Sequence, residues 1–377
     1  MKQATPVPLR YLEKELLDLG ADGLLRSRPA PVRDVARTFC SNDYLGLATA
    51  HETGAGASRL IVGERPEHVA LERALAAWLG LPSALLFSSG YAANVGALSA
   101  LVGRDDLIVS DALNHASIID GCRLTRARVE IVSHLDLQAI ERILSEPRRA
   151  RAWVVTESYF SMDADGPDLA SLRAACDRRG AALVLDEAHA LGVFGPAGRG
   201  RAAEACVEAD VLIGTLGKAF GAAGAFVAGC TALTDWLWNR ARSFVFSTGV
   251  SPLVAGSALR ALRDVAEGDA PRARLHENAR ILRSSLLRLG LQPLGHGPIV
   301  PVLVGESRRA LELAARLRQL GLHVQAIRPP TVPEGTARLR VTTTASHTAR
   351  DLEHASGCFA RVLGPGTQAS EPNEPKR

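Results

Sequence analysis

Between about residues 65 and 230, apolar runs alternate with amphipathic stretches, which predicts an α/β fold: a mainly parallel, mixed sheet covered by helices. Two further observations support this class. Most of the runs are continuously apolar, as in strands buried on both faces, not alternating as in strands with one wet face. Acidic, histidine and lysine residues also recur just after such runs, where open α/β sheets bind their ligands. Past Ser251-Pro252 the pattern changes to that of a smaller α+β domain.

Residues 9–25 carry Leu9, Leu12, Leu16, Leu17 and Leu19 at helical spacing, followed by Arg28-Pro29-Ala30-Pro31. That reads as an N-terminal helical arm and linker over residues 1–40. A large domain follows over residues 41–250. Its strands are expected at 84–87, 107–109, 129–132, 152–155, 181–185, 211–214 and 225–228, with helices at 135–144 and 169–179 among those between them. The smaller domain, residues 251–363, opens with a long helical region to about Leu289. A strand at 299–304, a helix at 308–320 and strands at 323–327 and 338–341 complete it. Residues 364–377 are polar and rich in Pro and Glu, a composition expected to be disordered.

The chain has 377 residues, 47% of them hydrophobic, enough for more than one folded domain. Forty-four basic residues against 40 acidic ones give a net charge of +4, too balanced to point to nucleic acid. Pairs such as Arg148-Arg149 and Arg308-Arg309 read as solvated helix faces. The six cysteines form no Cys-x-x-Cys pair, so reduced core thiols are expected, with neither a zinc site nor a disulfide framework. The first residues lack a signal-type apolar core, and no apolar run is long enough to span a bilayer. The expectation is a cytoplasmic protein with no membrane partner.

The chemistry concentrates at expected strand ends. In Thr215-Leu216-Gly217-Lys218-Ala219-Phe220-Gly221, a lysine sits among small residues after the run Val211-Leu212-Ile213-Gly214. Desolvation there would favour a neutral amine, a nucleophile able to form a Schiff base with a carbonyl. Upstream, Asp186 ends the run Leu183-Val184-Leu185, and His189 follows it. Lysine, acid and histidine at successive strand ends are the parts of a pyridoxal 5'-phosphate site: an amine for the aldehyde and a carboxylate for the pyridine nitrogen. Glu187 is expected to point away from Asp186. Ser88-Ser89-Gly90-Tyr91 precedes a helical pattern and suits a phosphate, through free N–H groups, the missing Cβ of Gly90 and a contact from Tyr91. Thr215 offers a further hydroxyl. His115 follows the strand at 107–109 and could stack on the ring; His189 and Ser161 could meet the ring hydroxyl. An amino-acid substrate needs a cation for its carboxylate, and Arg328, in a proline-stiffened loop, suits it.

Asp186-Glu187-Ala188-His189 also spells the acidic box of a nucleic-acid-dependent NTPase. That reading fails on the phosphate loop: Gly217-Lys218 is followed by Ala219, Leu212 stands at the leading glycine position, and the lysine follows the acidic box instead of preceding it. A non-catalytic binding protein of the same fold is the other alternative.

Taken together, the motifs resemble the α-oxoamine synthase family of fold-type I PLP-dependent enzymes. The matching segments are Ser41-Asn42-Asp43-Tyr44-Leu45-Gly46-Leu47, residues 85–94, Asn114-His115-Ala116-Ser117, residues 157–163, residues 186–189 and residues 215–221. The resemblance implies a transferase fold with Lys218 as the Schiff-base lysine, Asp186 on the pyridine nitrogen, His189 on the ring oxygen and His115 stacked on the ring, touching substrate. It implies that Gly90, Tyr91, Ser161 and Thr215 hold the cofactor, and that Arg26, Asn42, Arg328 and Thr331 meet the substrate. Phe246-Ser247-Thr248 resembles the segment one subunit lends to the other's phosphate, implying a homodimer with Thr248 in a shared site. Residues 326–340 look most like the branch that joins L-alanine to a pimeloyl thioester, pimeloyl-CoA or a pimeloyl carrier protein, in biotin biosynthesis. Branches that make 2-amino-3-oxobutyrate, 5-aminolevulinate or 3-ketosphinganine are the alternatives. One departure stands out. Ala48-Thr49-Ala50-His51-Glu52-Thr53 replaces a longer helical stretch that the family carries before its glycine-rich turn, near the expected acyl entrance.

Overall fold

The computed structural model describes residues 4–28 and 53–363. They fall into two compact units: Met1–Tyr159 with Pro167–Gly268, and Phe160–Gly166 with Asp269–Arg377. Asn42, the departure at residues 48–52 and the expected disordered tail lie outside the described residues.

In the first unit the elements are α1 (Tyr11–Ala21), α2 (Pro66–Leu79), β1 (Ser83–Phe87), α3 (Gly90–Leu101), β2 (Leu107–Asp111), α4 (Ala116–Thr125), β3 (Arg128–Val132), α5 (Leu137–Ser145), β4 (Ala152–Glu157), α6 (Leu169–Arg179), β5 (Ala182–Asp186), α7 (Gly200–Glu204), β6 (Val211–Thr215), β7 (Ala225–Gly229), α8 (Thr231–Arg240), α9 (Arg242–Val245) and α10 (Pro252–Ala266). The seven strands form one sheet in the order β1-β7-β6-β5-β4-β2-β3. The pairs β6/β5, β5/β4, β4/β2 and β2/β3 are parallel; β7 runs antiparallel to both neighbours. Every strand run expected in this part of the chain is present, within one or two residues at each end.

Continuous apolar runs make sense here because successive side chains enter opposite cores. Along β5, Leu183 and Leu185 join one apolar layer with Leu71, Leu75, Ile140, Leu172 and Leu262. Ala182 and Val184 join the other, with Leu9, Leu12, Leu98, Ile118 and Trp238. The N-terminal arm is thus part of this unit: Leu12 and Leu19 of α1 are buried and Tyr11 Oη donates to Leu101 O over 2.7 Å.

The second unit holds α11 (Asp269–Arg288), β8 (Ile299–Gly305), α12 (Ser307–Gln319), β9 (Gln325–Ile327), β10 (Ala337–Thr342) and α13 (Ala349–Leu363). Its antiparallel sheet has the order β8-β10-β9. Two boundaries differ from the sequence expectation. The division falls after Gly268, not Val250, because α10 packs Ala255, Ala258 and Leu262 into the layer that holds Leu71 and Leu75. Phe160–Gly166 belongs with the second unit because Arg338 Nη1 donates to Met162 O and the Asp163 carboxylate, and Arg340 Nε to Ser161 O. Gly295, at φ 61°, presses on the same segment; a Cβ there would lie 2.1 Å from Ala164 O.

Of the five described cysteines all are free, and four are buried as expected; Cys206 is exposed. A buried ion network lies beside the sheet. Arg59, 2% exposed, donates from Nη1 to Glu72 (2.9 Å) and from Nη2 to Glu64 (2.9 Å). Glu72 also accepts from Leu86 N at the start of the sheet (2.8 Å) and from Arg28 Nη1 (3.0 Å). Removing one partner of a buried pair strands the other charge. Arg59→Ala is expected to cost about 3–5 kcal/mol in urea denaturation, and a loss under about 1 kcal/mol would count against this network as an anchor.

Candidate active site

Parallel pairing puts the ends of four strands on one edge of the sheet. Asp111 ends β2, Glu157 ends β4, Asp186 ends β5 and Thr215 ends β6. Glu157 is in register with Asp186, and Asp186 with Ile213. β1, antiparallel to β7, points the same way as these strands, so α3 begins at the same edge. Ser89 caps α3, its Oγ accepting from Ala92 N (3.1 Å), while the first N–H groups of a helix lack intrahelical partners. Gly90 faces Thr215: a Cβ at Gly90 would lie 3.9 Å from Thr215 Oγ1.

A chain of hydrogen bonds ties this edge together. Asp186 Oδ1 accepts from Ala188 N (2.8 Å) and Oδ2 from Asn94 Nδ2 on α3 (2.7 Å). Asn94 Nδ2 also donates to Ser117 Oγ (3.0 Å), which lies 2.7 Å from His115 Nδ1. His115 N donates to Glu157 Oε1 (2.8 Å). Asn114 Nδ2 holds the same loop by donating to Ser110 Oγ (2.9 Å) and Val155 O (2.8 Å). The structure therefore joins the expected residues Asp186 and His115 through Asn94, Ser117 and Glu157, none of which the sequence singled out. All three stand inside the motifs quoted above; what draws Glu157 into the cluster is its register with Asp186, visible only once the strands are paired.

Burial, then the neighbouring Asp186, push the Glu157 carboxyl up to about 8, opposed by the His115 N–H and by Lys218. Glu187 points away from Asp186, as expected; its oxygens accept from Arg201 N (3.0 Å) and Ala202 N (2.7 Å) at the start of α7. Burial raises it to about 7.

The lysine corrects one expectation. Lys218 is exposed, not buried. The chain leaves the sheet at Thr215 and turns, Gly221 N donating to Lys218 O (3.0 Å), so the lysine stands three residues past the strand on an open edge. Desolvation within this chain therefore does not set the lysine apart; what the structure shows is an electrostatic effect of Lys218 on the Glu157 carboxyl. His115 is exposed too, and His189 half-buried. Thr215 is buried, its Oγ1 accepting from Gly217 N (3.2 Å). Tyr91 is 48% exposed, and its hydroxyl donates to Asp120 Oδ2. Thr248 is exposed in a loop where Phe246 is 71% exposed. Arg26 is held at the end of α8, its N donating to Asn239 Oδ1 (2.6 Å) and its Nη1 to Asn239 O (2.9 Å). Ser161, Arg328 and Thr331 lie in the second unit, Thr331 N donating to Arg328 O (3.0 Å).

This donor set fits pyridoxal 5'-phosphate. An amine, an acceptor carboxylate, a helix start with a glycine facing a threonine hydroxyl, and an exposed imidazole share one edge. Among the described residues no group of three or more His, Cys, Asp or Glu could hold a metal, and no helix is long and apolar enough to cross a membrane.

The sequence pattern of the family "Aminotransferase class I and II" matches residues 37–357. An 8-amino-7-oxononanoate synthase of Anaeromyxobacter sp. (strain K) is 46% identical over 390 residues, 97% of this chain and 98% of that protein. The serine palmitoyltransferase structure of Sphingomonas wittichii superposes with a TM-score of 0.81 at 30% identity, covering 94% of this chain and 97% of that one. An SPT structure with PLP has a TM-score of 0.80 at 31% identity, covering 84% and 81%.

The Glu157 proton sets a pH dependence. The folded chain keeps that proton up to about 8, whereas the unfolded chain releases it near 4.5. The associated stability is complete below that lower value and is lost as pH rises through the upper one. Glu157→Gln keeps an acceptor for His115 N and is expected to flatten the fall in melting temperature between about pH 5 and about pH 8.5. Glu187 leaves a residual slope in both proteins. A slope equal to that of the unsubstituted chain would rule out the Glu157 proton as its source.

Proposed function

The chain belongs to the aminotransferase class I and II family, and from that premise we propose that it is a pyridoxal-phosphate-dependent acyltransferase of biotin biosynthesis, joining L-alanine to a pimeloyl thioester to give 8-amino-7-oxononanoate, carbon dioxide and free thiol. The observation that carries the chemistry is the strand-end cluster in which Asp186 is bonded to Asn94 of α3, His115 is bonded to Glu157, and Lys218 acts electrostatically on the Glu157 carboxyl. The name of the Anaeromyxobacter relative supports the substrates.

Bound at this edge, pyridoxal phosphate supplies an electron sink for negative charge at the α-carbon of an amino acid. Each protein group has a separate task. Lys218 would hold the aldehyde through its amine and would take the α-proton of the amino acid at Nζ. Asp186, oriented by Asn94 and the Ala188 N–H, accepts from the pyridine nitrogen. The α3 N–H groups of Gly90 and Tyr91 and the Thr215 hydroxyl receive the phosphate. His115 covers the ring and faces the substrate; His189 and Ser161 serve the ring oxygen. Arg328 and Thr331, with Arg26 and Asn42, hold the substrate. Thr248 of each subunit serves the other's phosphate in a homodimer, which accounts for Phe246 being exposed in the single chain.

Lys218→Ala is expected to lose turnover together with the visible absorbance of lysine-bound cofactor; cofactor still trapped on the protein by borohydride would overturn its assignment. Asp186→Asn is expected to lower kcat about 100-fold or more, since the residue acts on charge that develops during reaction. The substrate reading is tested by pairing alanine, glycine and serine with acetyl, pimeloyl and palmitoyl thioesters. Alanine with pimeloyl is the expected pair; preference for glycine with acetyl would replace it with 2-amino-3-oxobutyrate synthesis.

A further inference from the structure

The proposed function leaves open which nitrogen of His115 carries the ring proton, and the surrounding hydrogen bonds decide it. Ser117 N donates to His115 Nδ1 over 3.2 Å. A backbone N–H is a donor in every state, so this long bond favours a lone pair over a proton at Nδ1 without fixing it alone. Ser117 Oγ lies 2.7 Å from the same nitrogen, and with Nδ1 bare the hydroxyl is the donor. The hydroxyl is free to donate because Asn94 Nδ2 donates to its oxygen over 3.0 Å. Nor can the Asn94 amide turn over. Its Nδ2 faces Asp186 Oδ2 at 2.7 Å, and the flipped amide would set an oxygen against that carboxylate. Asn94 and Ser117 are 2% and 1% exposed, so water does not compete for these bonds.

We infer that Asn94 and Ser117 are positioning residues that hold His115 as its neutral Nε2–H tautomer, so that the imidazole offers a hydrogen-bond donor to a substrate oxygen. Orientation passes in one direction: Asp186 sets Asn94, Asn94 sets the Ser117 hydroxyl, and Ser117 sets which ring nitrogen is bare. The opposite tautomer would oppose two donors at Ser117 N. With its proton on Nε2, His115 presents no base on its exposed side, which leaves proton abstraction to Lys218. The oxygen it meets is a carboxylate or a thioester carbonyl; that identity rests on the proposed function, whereas the tautomer does not.

The test uses the full-length protein carrying isotope-labelled histidine, with and without pyridoxal phosphate, and reads proton–nitrogen correlations at about pH 8. A His115→Asn variant identifies the His115 signals. The expected pattern is a single neutral species protonated at Nε2. Ser117→Ala keeps the backbone donor but lacks the hydroxyl, so a second tautomer is expected to appear; Ser117→Thr restores the first. In Ser117→Ala, kcat is expected to fall about fivefold, one hydrogen bond's worth, with KM for alanine changed less than about twofold. A proton on Nδ1 in the unsubstituted protein would overturn the inference, and that spectrum decides even if a variant fails to fold. An unchanged tautomer in Ser117→Ala would overturn the role of the hydroxyl. A pure Nε2–H signature in a protein that does not turn over alanine with pimeloyl thioester would uphold the inference and sink the substrate reading.

Discussion

Two carboxylates, Glu157 and Asp186, end adjacent parallel strands in register, and the site is organised around how that pair is accommodated. In-register neighbours of a parallel pair point to the same face, so the two acids stand side by side in a buried setting. Like charges so placed repel, and burial adds to that repulsion in disfavouring the charged form of Glu157. The structure separates their roles by giving them different partners. Glu157 has one backbone donor, His115 N, and retains its proton more readily than an ordinary carboxylate. Asp186 receives two donors, one from the loop that follows it and one from a side chain on another element. One acid thereby anchors the histidine loop and the other stands ready as an acceptor, from a pair of residues that composition would treat alike.

The fold was legible because its strands are buried on both faces. Continuous runs such as Val211-Leu212-Ile213-Gly214 announce themselves without any alternation, and the two apolar layers they feed explain why. Boundaries between units were less legible. The proline of Ser251-Pro252 marks the start of α10, but a proline at the first helical position says nothing about which core the helix will join. That depends on Ala255, Ala258 and Leu262 meeting residues nearly two hundred positions earlier.

The site divides in the same way. Asp186 and Lys218 stand out in the sequence because each follows an apolar run, but the lysine is exposed, so a run before it does not imply burial. A residue three places beyond a strand end has left the sheet, and its exposure follows from the turn at Lys218–Gly221. Glu157, Asn94 and Ser117 carry no isolated signal, since a glutamate, an asparagine and a serine near strand or helix ends are ordinary capping residues. Pairing is what gives them meaning: Glu157 through register, Asn94 because the first turns of α3 rise beside the end of β5, Ser117 because His115 caps α4 two residues earlier.

Asn94 shows what this arrangement costs. Its amide nitrogen serves Asp186 and Ser117, while its Oδ1 is buried with no hydrogen-bond partner among the described residues. An unsatisfied buried acceptor destabilises by roughly 1–3 kcal/mol, and an apolar side chain of similar size would avoid that loss. Stability alone therefore does not account for an asparagine at the junction of α3, β5 and α4. Its two N–H groups diverge toward a carboxylate on one element and a hydroxyl on another, a geometry that neither a leucine nor an aspartate could supply. Local rules of polar satisfaction are broken where a site needs a fixed orientation, and the break at Asn94 falls between Asp186 and His115, which its amide links through Ser117.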